Sequence, residues 1–175
     1  MLRMVLMACV RARALCAWQV VYKTAFYSFY LPCALGMRLA GVDDEKLYAQ
    51  AADVCKAMGA LFQVQDDYLD CYGNPEVIGK IGTDIRDNKC SWLINKALEE
   101  CSMAQRRTLE ANYAKKDPKC EAKVKEVFGK LGLEAKFRAY EEATHADIVR
   151  QIGEIKGMPT AIFSKLLGRI YKRDK

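Results

Sequence analysis

Three carboxylates stand close together at the end of a long apolar pattern. Asp66 and Asp70 are four residues apart, so a helix would place them on one face with Asp67 beside it. Acids near a helix C-terminus repel one another and oppose the macrodipole, at about 0.3–1 kcal/mol each. A hard cation such as Mg²⁺ takes oxygen ligands, bridges to substrate phosphates and would offset that cost. A solvated acidic helix end is the alternative, and spacing alone leaves both interpretations open.

A second polar segment follows the acids. Residues 74–90 show little periodicity, and they place Lys80 between two glycines and Lys89 after further acids. Lysine ammonium groups are point charges suited to phosphate. Asp84 would either order Lys80 or hold a metal-bound water. A loop of this length in a compact domain is often functional, although a plain polar surface loop is the alternative.

The elements that position these residues are predicted as helices. Apolar residues recur at three- and four-residue steps from Leu47 to Leu69, which predicts a helix of about 28 residues capped by Asp43 or Asp44. Gly59 and Gln63 fall on the edge that carries Asp66, where the missing side chain at Gly59 would leave room for a ligand. We expect a further helix from a cap at Asp87 or Asn88 to about Cys101, and others over 104–114, 118–130, 133–156 and 160–171.

An aromatic segment, residues 22–31, holds Lys23 and Thr24. Its pattern continues through Leu39 without a hairpin signal, which favours a helix, although β-propensity leaves a strand as the competing interpretation. Pro32 would lie in the first turn of a continuing helix or kink it. Lys23 is either a surface lysine or a group directed at an anion.

Composition excludes several classes of function. No apolar run approaches the ~18 residues that a membrane helix needs. The net charge of +6 is spread along the chain, which does not favour nucleic-acid binding and suits a small anion as well. There is no P-loop, dinucleotide-binding glycine set or Ser-His-Asp order, and the predicted fold is all-α.

The cysteines and the histidine carry no metal signature. Eight cysteines form no CxxC pair, and one histidine is too few for a usual zinc set. We interpret the cysteines as reduced, mostly buried thiols of a cytosolic protein, with disulfides as the less favoured reading. His145 lies beside an apolar stripe and is interpreted as a structural or surface residue rather than a base.

The two ends of the chain are basic. Residues 1–20 contain arginines and no acid, so they are a mitochondrial presequence, an ordinary helix or a non-native leader joined to the domain near Val21. We divide the chain into this leader, 1–20, and one domain, 21–175. The tail, residues 169–175, is either a frayed end or a flap that closes over an anion.

Five segments resemble, in order and spacing, animal-type farnesyl diphosphate synthases of the trans-polyprenyl synthase family: residues 22–28, 62–70, 79–84, 87–92 and 170–173. The resemblance covers about residues 21–175 and implies the helical bundle of isoprenoid synthases. It implies a cytosolic, usually homodimeric, Mg²⁺-dependent prenyltransferase. Such an enzyme condenses isopentenyl diphosphate with dimethylallyl or geranyl diphosphate to farnesyl diphosphate.

The resemblance also implies roles for individual residues. It places Asp66, Asp67 and Asp70 at Mg²⁺, and to these we add Asp84, acting through water, from its position in the loop. The residues that it assigns to the allylic substrate are Lys23, Thr24, Gln63, Lys80 and Lys89, of which Lys23, Thr24 and Gln63 act in catalysis. Tyr27 and Phe62 would border the reacting carbons, and Arg173 would close over isopentenyl diphosphate.

The chain departs from the family in one large respect. The family has an earlier aspartate-rich motif followed by paired arginines, and Asp43-Asp44 does not match it because no acid stands at the fifth position. The N-terminal helices of the family fold are missing. We therefore expect a C-terminal part or short form with weak stability and little or no turnover alone. The alternative is a non-catalytic partner that pairs with a full-length synthase and modulates it.

Overall fold

A computed structural model of the chain describes residues 21–173, and the side chains from residue 24 onward. Within that range there are nine helices and no strand, which confirms the all-α prediction. The helices are α1 (Val21–Tyr30, wound as a π-helix), α2 (Leu31–Leu39), α3 (Glu45–Tyr72), α4 (Pro75–Ile78), α5 (Trp92–Glu100), α6 (Met103–Asn112), α7 (Pro118–Lys130), α8 (Leu133–Glu154) and α9 (Ala161–Ile170). None of these described helices is long and apolar enough to cross a bilayer.

The chain divides into two compact units. Of the described residues, the first unit contains 64–139, and the second contains 21–63 and 140–173. Helices α3 and α8 contribute residues to both. The predictions for residues 1–20, for the Lys23 side chain and for the last two residues of the tail lie outside the described part, so the leader and its boundary near Val21 stay predictions.

In the second unit, α1 and α2 confirm the helix prediction over the strand, and Pro32 lies in the first turn of α2. Its apolar core joins residues of α1, α3, α8 and α9 and the residue after α8: Phe29, Ala51, Val54, Cys55, Met58, Leu61, Ile148, Ile152, Ile155, Phe163, Leu167 and Ile170. The expectation that Gly59 leaves room for a ligand is wrong. A Cβ on Gly59 would lie 2.3 Å from the Cα of Ala25, so the missing side chain admits α1 instead.

Helix α3 has the predicted length of 28 residues. Before it, Gly41 turns the chain at φ +76°, a left-handed conformation that suits glycine. The Asp44 carboxylate accepts the backbone N–H of Lys46 at 2.9 Å, which satisfies one of the orphan donors of the first turn. One of the two predicted caps is therefore present.

In the first unit, a core of aliphatic and aromatic residues joins α5, α6, α7, the start of α8 and two residues of the connecting loops: Ile85, Leu93, Ile94, Ala97, Leu109, Tyr113, Val124, Val127, Phe128 and Leu133. Beside it, the ring of Tyr68 stacks on Phe137, with ring centroids 3.9 Å apart. The Tyr68 hydroxyl donates to Glu134 at 3.0 Å and accepts from Arg138 at 3.2 Å. These contacts hold the C-terminal part of α3 against α8.

Two predictions in residues 74–101 need correction. The loop contains a short helix, α4, which Asn74 caps through the N–H of Glu76 at 3.0 Å. Helix α5 begins at Trp92 with Ser91 as its cap, several residues later than predicted. The reason is Asn88, whose φ of +59° interrupts any helical run from Asp87.

Candidate active site

In the first unit, three carboxylates lie close to the ammonium group of one lysine, Lys89. The Nζ of Lys89 lies 2.8 Å from Asp84, 3.1 Å from Asp67 and 3.8 Å from Asp66. Two of these acids come from the end of α3, and the third comes from the loop after α4. The acidic cluster predicted from the sequence is thus neutralised in part by a residue of the following loop.

The three acids differ in their access to solvent. The side chain of Asp66 is 35% exposed, whereas that of Asp84 is 16% and that of Asp67 is 7% exposed. A second lysine, Lys80, lies 3.7 Å from Asp66 and is 54% exposed. Lys80 therefore pairs with Asp66, and Asp84 pairs with Lys89 instead, so of the two alternatives for Asp84 the ordering of Lys80 is not observed.

Asp67 and Asp70 accept backbone hydrogen bonds. The backbone N–H of Trp92 donates to Asp67 at 2.7 Å. The N–H groups of Thr83 and Asp84 donate to the two oxygens of Asp70, at 3.2 and 2.9 Å. Charge-assisted bonds of this kind are about twice as strong as neutral ones. Asp70 therefore ties the loop to α3, and Asp67 ties α3 to the start of α5.

The loop approaches α3 so closely that a glycine is required. A Cβ on Gly82 would lie 1.7 Å from the backbone oxygen of Asp70. The side chain of Arg86 donates to the oxygen of Gly82 at 2.9 Å, which closes this turn. The glycine next to Thr83 thus permits both hydrogen bonds to Asp70.

Two further contacts hold the loop that carries Lys89, one of them at Lys89 itself, and the sequence pattern missed both. The hydroxyl of Tyr113 donates to the backbone oxygen of Lys89 at 2.7 Å, and the N–H of Ala114 donates to Ile85 at 2.9 Å. Both donors directly follow α6, more than twenty positions along the chain. Periodicity reports local structure, and no local signal indicates such a contact.

The surroundings shift the pKa values of two ionisable groups of the cluster, Asp84 and Lys89. Burial raises the pKa of Asp84 to about 6, although the ammonium of Lys89 opposes the shift. Burial acts to lower the pKa of Lys89, but the carboxylates of Asp67 and Asp84 outweigh it and raise that pKa. Lys89 is therefore charged at neutral pH and held by its acids.

The donor set fits a hard cation in its chemistry, because it consists of carboxylate oxygens. Among the described residues, no group of three or more His, Cys, Asp or Glu side chains is arranged so that it could hold a metal ion. Asp66 is the most exposed carboxylate that contacts Lys89, while Asp70 is engaged by the loop. The assignment of Asp66, Asp67, Asp70 and Asp84 to Mg²⁺ stays a prediction, with Asp66 best placed for direct contact.

The second unit holds the other predicted site residues. The hydroxyl of Thr24 donates to the side-chain oxygen of Gln63 at 3.2 Å. Tyr27 is 67% exposed. The guanidinium of Arg173 lies 3.8 Å from the ring centroid of Phe62 and donates to the backbone oxygen of that residue at 3.2 Å. Arg173 and Phe62, which the sequence analysis treated as separate site residues, are therefore in direct contact with each other.

The described part of the tail is packed and not frayed. The hydroxyl of Tyr171 donates to Glu142 at 2.6 Å, and the ammonium of Lys172 lies 2.7 Å from the same carboxylate. His145 stacks on the ring of Tyr171, with centroids 3.7 Å apart. His145 thus has a structural contact, which agrees with its interpretation as a structural residue.

Comparison with known proteins decides the family. The model of the polyprenyl synthetase family matches residues 18–131. The chain belongs to the polyprenyl synthetase family. It is 53% identical over 159 residues to the farnesyl pyrophosphate synthase of Saccharomyces cerevisiae, and 50% identical over 157 residues to that of Mus musculus. These alignments cover 89% of this chain, and 45% and 44% of the two relatives.

Solved polyprenyl synthetase structures share the fold. A farnesyl diphosphate synthase of T. brucei, complexed with risedronate, superposes with a TM-score of 0.82 at 35% identity. The superposition covers 89% of this chain and 44% of that one. The chain therefore spans less than half the length of these three synthases, and the resemblance seen in the sequence motifs is confirmed.

Proposed function

We propose that this chain carries the allylic-diphosphate-binding side of a Mg²⁺-dependent prenyltransferase. The reaction is the condensation of isopentenyl diphosphate with dimethylallyl or geranyl diphosphate to farnesyl diphosphate. The observation that carries the proposal is the convergence of Asp66, Asp67 and Asp84 on Lys89, with Lys80 beside Asp66. The names of the relatives support the reaction class.

The cluster contains carboxylates, which suit a metal ion, and lysine ammonium groups, which suit the phosphates of a metal-bridged diphosphate. Mg²⁺, when bound, supplies a Lewis acid that stabilises negative charge on the departing diphosphate. Asp66 would hold the cation directly, and Asp84 would hold it through water. Asp67 and Asp70 fix the positions of the carboxylates and the loop through their backbone hydrogen bonds.

The lysines act on the phosphate oxygens. Lys80 is more than half exposed, so its ammonium can turn from Asp66 to a phosphate. Lys89 is held by Asp67 and Asp84 and therefore presents a charge in a fixed place. Charge fixed in advance stabilises the leaving group without reorganisation during the reaction.

The resemblance assigns the second unit's Lys23, Thr24 and Gln63 to the same substrate. The hydrogen bond between Thr24 and Gln63 orients two dipoles, which suits stabilisation of the allylic cation that forms as diphosphate departs. Isopentenyl diphosphate then attacks that cation with its double bond, and the released diphosphate removes the proton. By the same likeness, Tyr27 and Phe62 border the reacting carbons, and Arg173 faces isopentenyl diphosphate.

The reaction is tested on the purified chain. The chain is incubated with Mg²⁺, labelled isopentenyl diphosphate and geranyl diphosphate over a range of protein concentrations. Labelled farnesyl diphosphate, absent after chelation of Mg²⁺, supports catalysis by this chain. No product at any concentration overturns catalysis by this chain alone, and the binding measurements below then test the diphosphate site separately.

A further inference from the structure

The first half of the loop between α4 and α5 carries Lys80 and Asp84, and apolar burial does little to hold it. Ile81 is 73% exposed, and the side chain of Lys80 is more than half exposed. After Gly79, the first residue of the loop that is buried in the core is Ile85. The positions of Lys80 and Asp84 therefore depend on polar contacts.

Arg86 makes two such contacts at once. Its Nη2 donates to the backbone oxygen of Gly82 at 2.9 Å, and its Nε lies 3.5 Å from Oε2 of Glu121 in α7. The donors of a guanidinium are held in one rigid plane, so two contacts in different directions fix its orientation. Arg86 therefore links the loop to α7.

Glu121 is itself held in place by its helix. Its other oxygen, Oε1, lies 2.9 Å from the ammonium of Lys125, one turn further along α7. Helix α7 is anchored in the core of the unit through residues such as Phe128. The side chains of Arg86 and Glu121 are both less than one third exposed, so solvent screens their attraction less than that of a fully exposed ion pair.

Gly82 passes this attachment on to the site. It lies against the backbone oxygen of Asp70, and the N–H groups of the next two residues donate to the Asp70 carboxylate. Lys80 is two residues before Gly82, and Asp84 is two residues after it. A displacement of Gly82 would therefore move both of these charged side chains.

We propose that Arg86 and Glu121 are positioning residues of the diphosphate site. Glu121 holds Arg86, Arg86 holds Gly82, and the loop then presents Lys80 and Asp84 to the ligand. Both residues act through the loop and not on the ligand itself. The inference rests on the proposed function for its ligand, whereas the contacts from α7 to the loop stand on their own.

The test follows amide hydrogen exchange by NMR in the whole chain. In Arg86→Ala and in Glu121→Gln, the amides of Thr83 and Asp84 should exchange about tenfold faster, because a charged hydrogen-bonding partner of the loop is lost. The amide of Phe128 in α7 should keep its rate, since the core stays closed. A residue that only stabilises the whole unit would change all three rates together.

Lys125→Ala is the matched control. It removes the other partner of Glu121 and leaves Arg86 in contact with that carboxylate, so it should leave the exchange of Thr83 and Asp84 unchanged. Arg86→Lys keeps a charge for Glu121 without the rigid fork, and it should recover part of the protection that Arg86→Ala loses.

Titration of geranyl diphosphate with Mg²⁺ connects the loop to the site. We expect Arg86→Ala and Glu121→Gln to weaken binding about threefold to tenfold, and Lys125→Ala to bind like the parent. Because Glu121 acts through Arg86, the double variant should bind no more weakly than Arg86→Ala alone.

Three results would overturn the proposal: unchanged exchange of Thr83 and Asp84 in Arg86→Ala, an equal change at Phe128, or fully additive losses in the double variant. A parent chain that binds no geranyl diphosphate would overturn the proposed function instead. In that case the exchange rates still decide whether Arg86 and Glu121 hold the loop.

Discussion

The carboxylates of the acidic cluster have different roles, which can be distinguished by the hydrogen bonds that each one accepts. Asp70 accepts two backbone N–H groups of the loop, and Asp67 accepts one at the start of α5. Asp66 is more exposed than Asp67 and faces Lys80. We therefore infer that Asp67 and Asp70 build the site, while Asp66 meets the ligand.

Lys80 tests the ligand side of this division. Replacing it with alanine removes a half-exposed ammonium beside Asp66. We expect Lys80→Ala to weaken Mg²⁺-dependent binding of geranyl diphosphate about tenfold, the effect of one charged hydrogen bond. Calorimetric titration measures it. Lys96→Ala is the control, because Lys96 pairs with Glu99 at 2.9 Å in α5. Equal affinities of the two variants would remove Lys80 from the site.

A substitution of Asp70 tests the inference that this residue holds the loop in place. In Asp70→Asn one oxygen becomes an NH₂ group, which cannot accept the N–H of Thr83 or of Asp84. We expect the free energy of unfolding to fall by about 1–3 kcal/mol. Urea unfolding of this variant and of Asp87→Asn, an exposed acid of the same loop, gives the comparison. A matching loss in both would show that Asp70 does not hold the loop.

At the scale of the elements, signals between residues close in the sequence predicted the positions and lengths of helices. The apolar spacing and Asp44 predicted α3 at its observed length, and the helix predicted over 118–130 is present as α7 with the same bounds. Helix α4 has four residues, too few for any periodicity. The start of α5 depends on the left-handed Asn88, which a sequence pattern does not reveal.

The candidate site was predictable only in part for the same reason. The acids and lysines were found from their spacing and from the family resemblance. The ion pairs of Lys89 with Asp66, Asp67 and Asp84 depend on the loop conformation. Tyr113, which is distant in the sequence, stabilises that conformation through its hydrogen bond to Lys89. Gly59 was misassigned because a missing side chain can admit a neighbouring helix as readily as a ligand.

The contact at Gly59 gives a test of helix packing. A methyl group there would meet the Cα and Cβ of Ala25 at 2.3 Å, so Gly59→Ala must push α1 from α3. We expect a loss of about 1–3 kcal/mol in the free energy of unfolding. Gly129→Ala is the control, since nothing lies within 4 Å of that position in α7, and it should stabilise by about 0.5–1 kcal/mol. Thermal unfolding followed by circular dichroism distinguishes them, and stability of Gly59→Ala at or above the parent would contradict the packing.

At the scale of the whole molecule, apolar side chains remain exposed on α1 and α2. They recur every four residues, with Tyr27, Leu31, Leu35 and Leu39 exposed at 67%, 37%, 56% and 90%. A contiguous exposed apolar face is uncommon on a monomer. The expected weak stability, and pairing either with a second copy or with a full-length synthase, stay predictions that sedimentation at several concentrations can check.

The Mg²⁺-assisted diphosphate site is the central claim, and one titration tests it most directly. Geranyl diphosphate is titrated into the folded chain with Mg²⁺ and again with EDTA, in parallel with Asp66→Asn and the exposed control Asp53→Asn. We predict binding that falls at least about tenfold with EDTA or Asp66→Asn and is unchanged in Asp53→Asn, because one charged ligand is lost. No binding by the folded chain, or equal affinity with and without Mg²⁺, would contradict the claim.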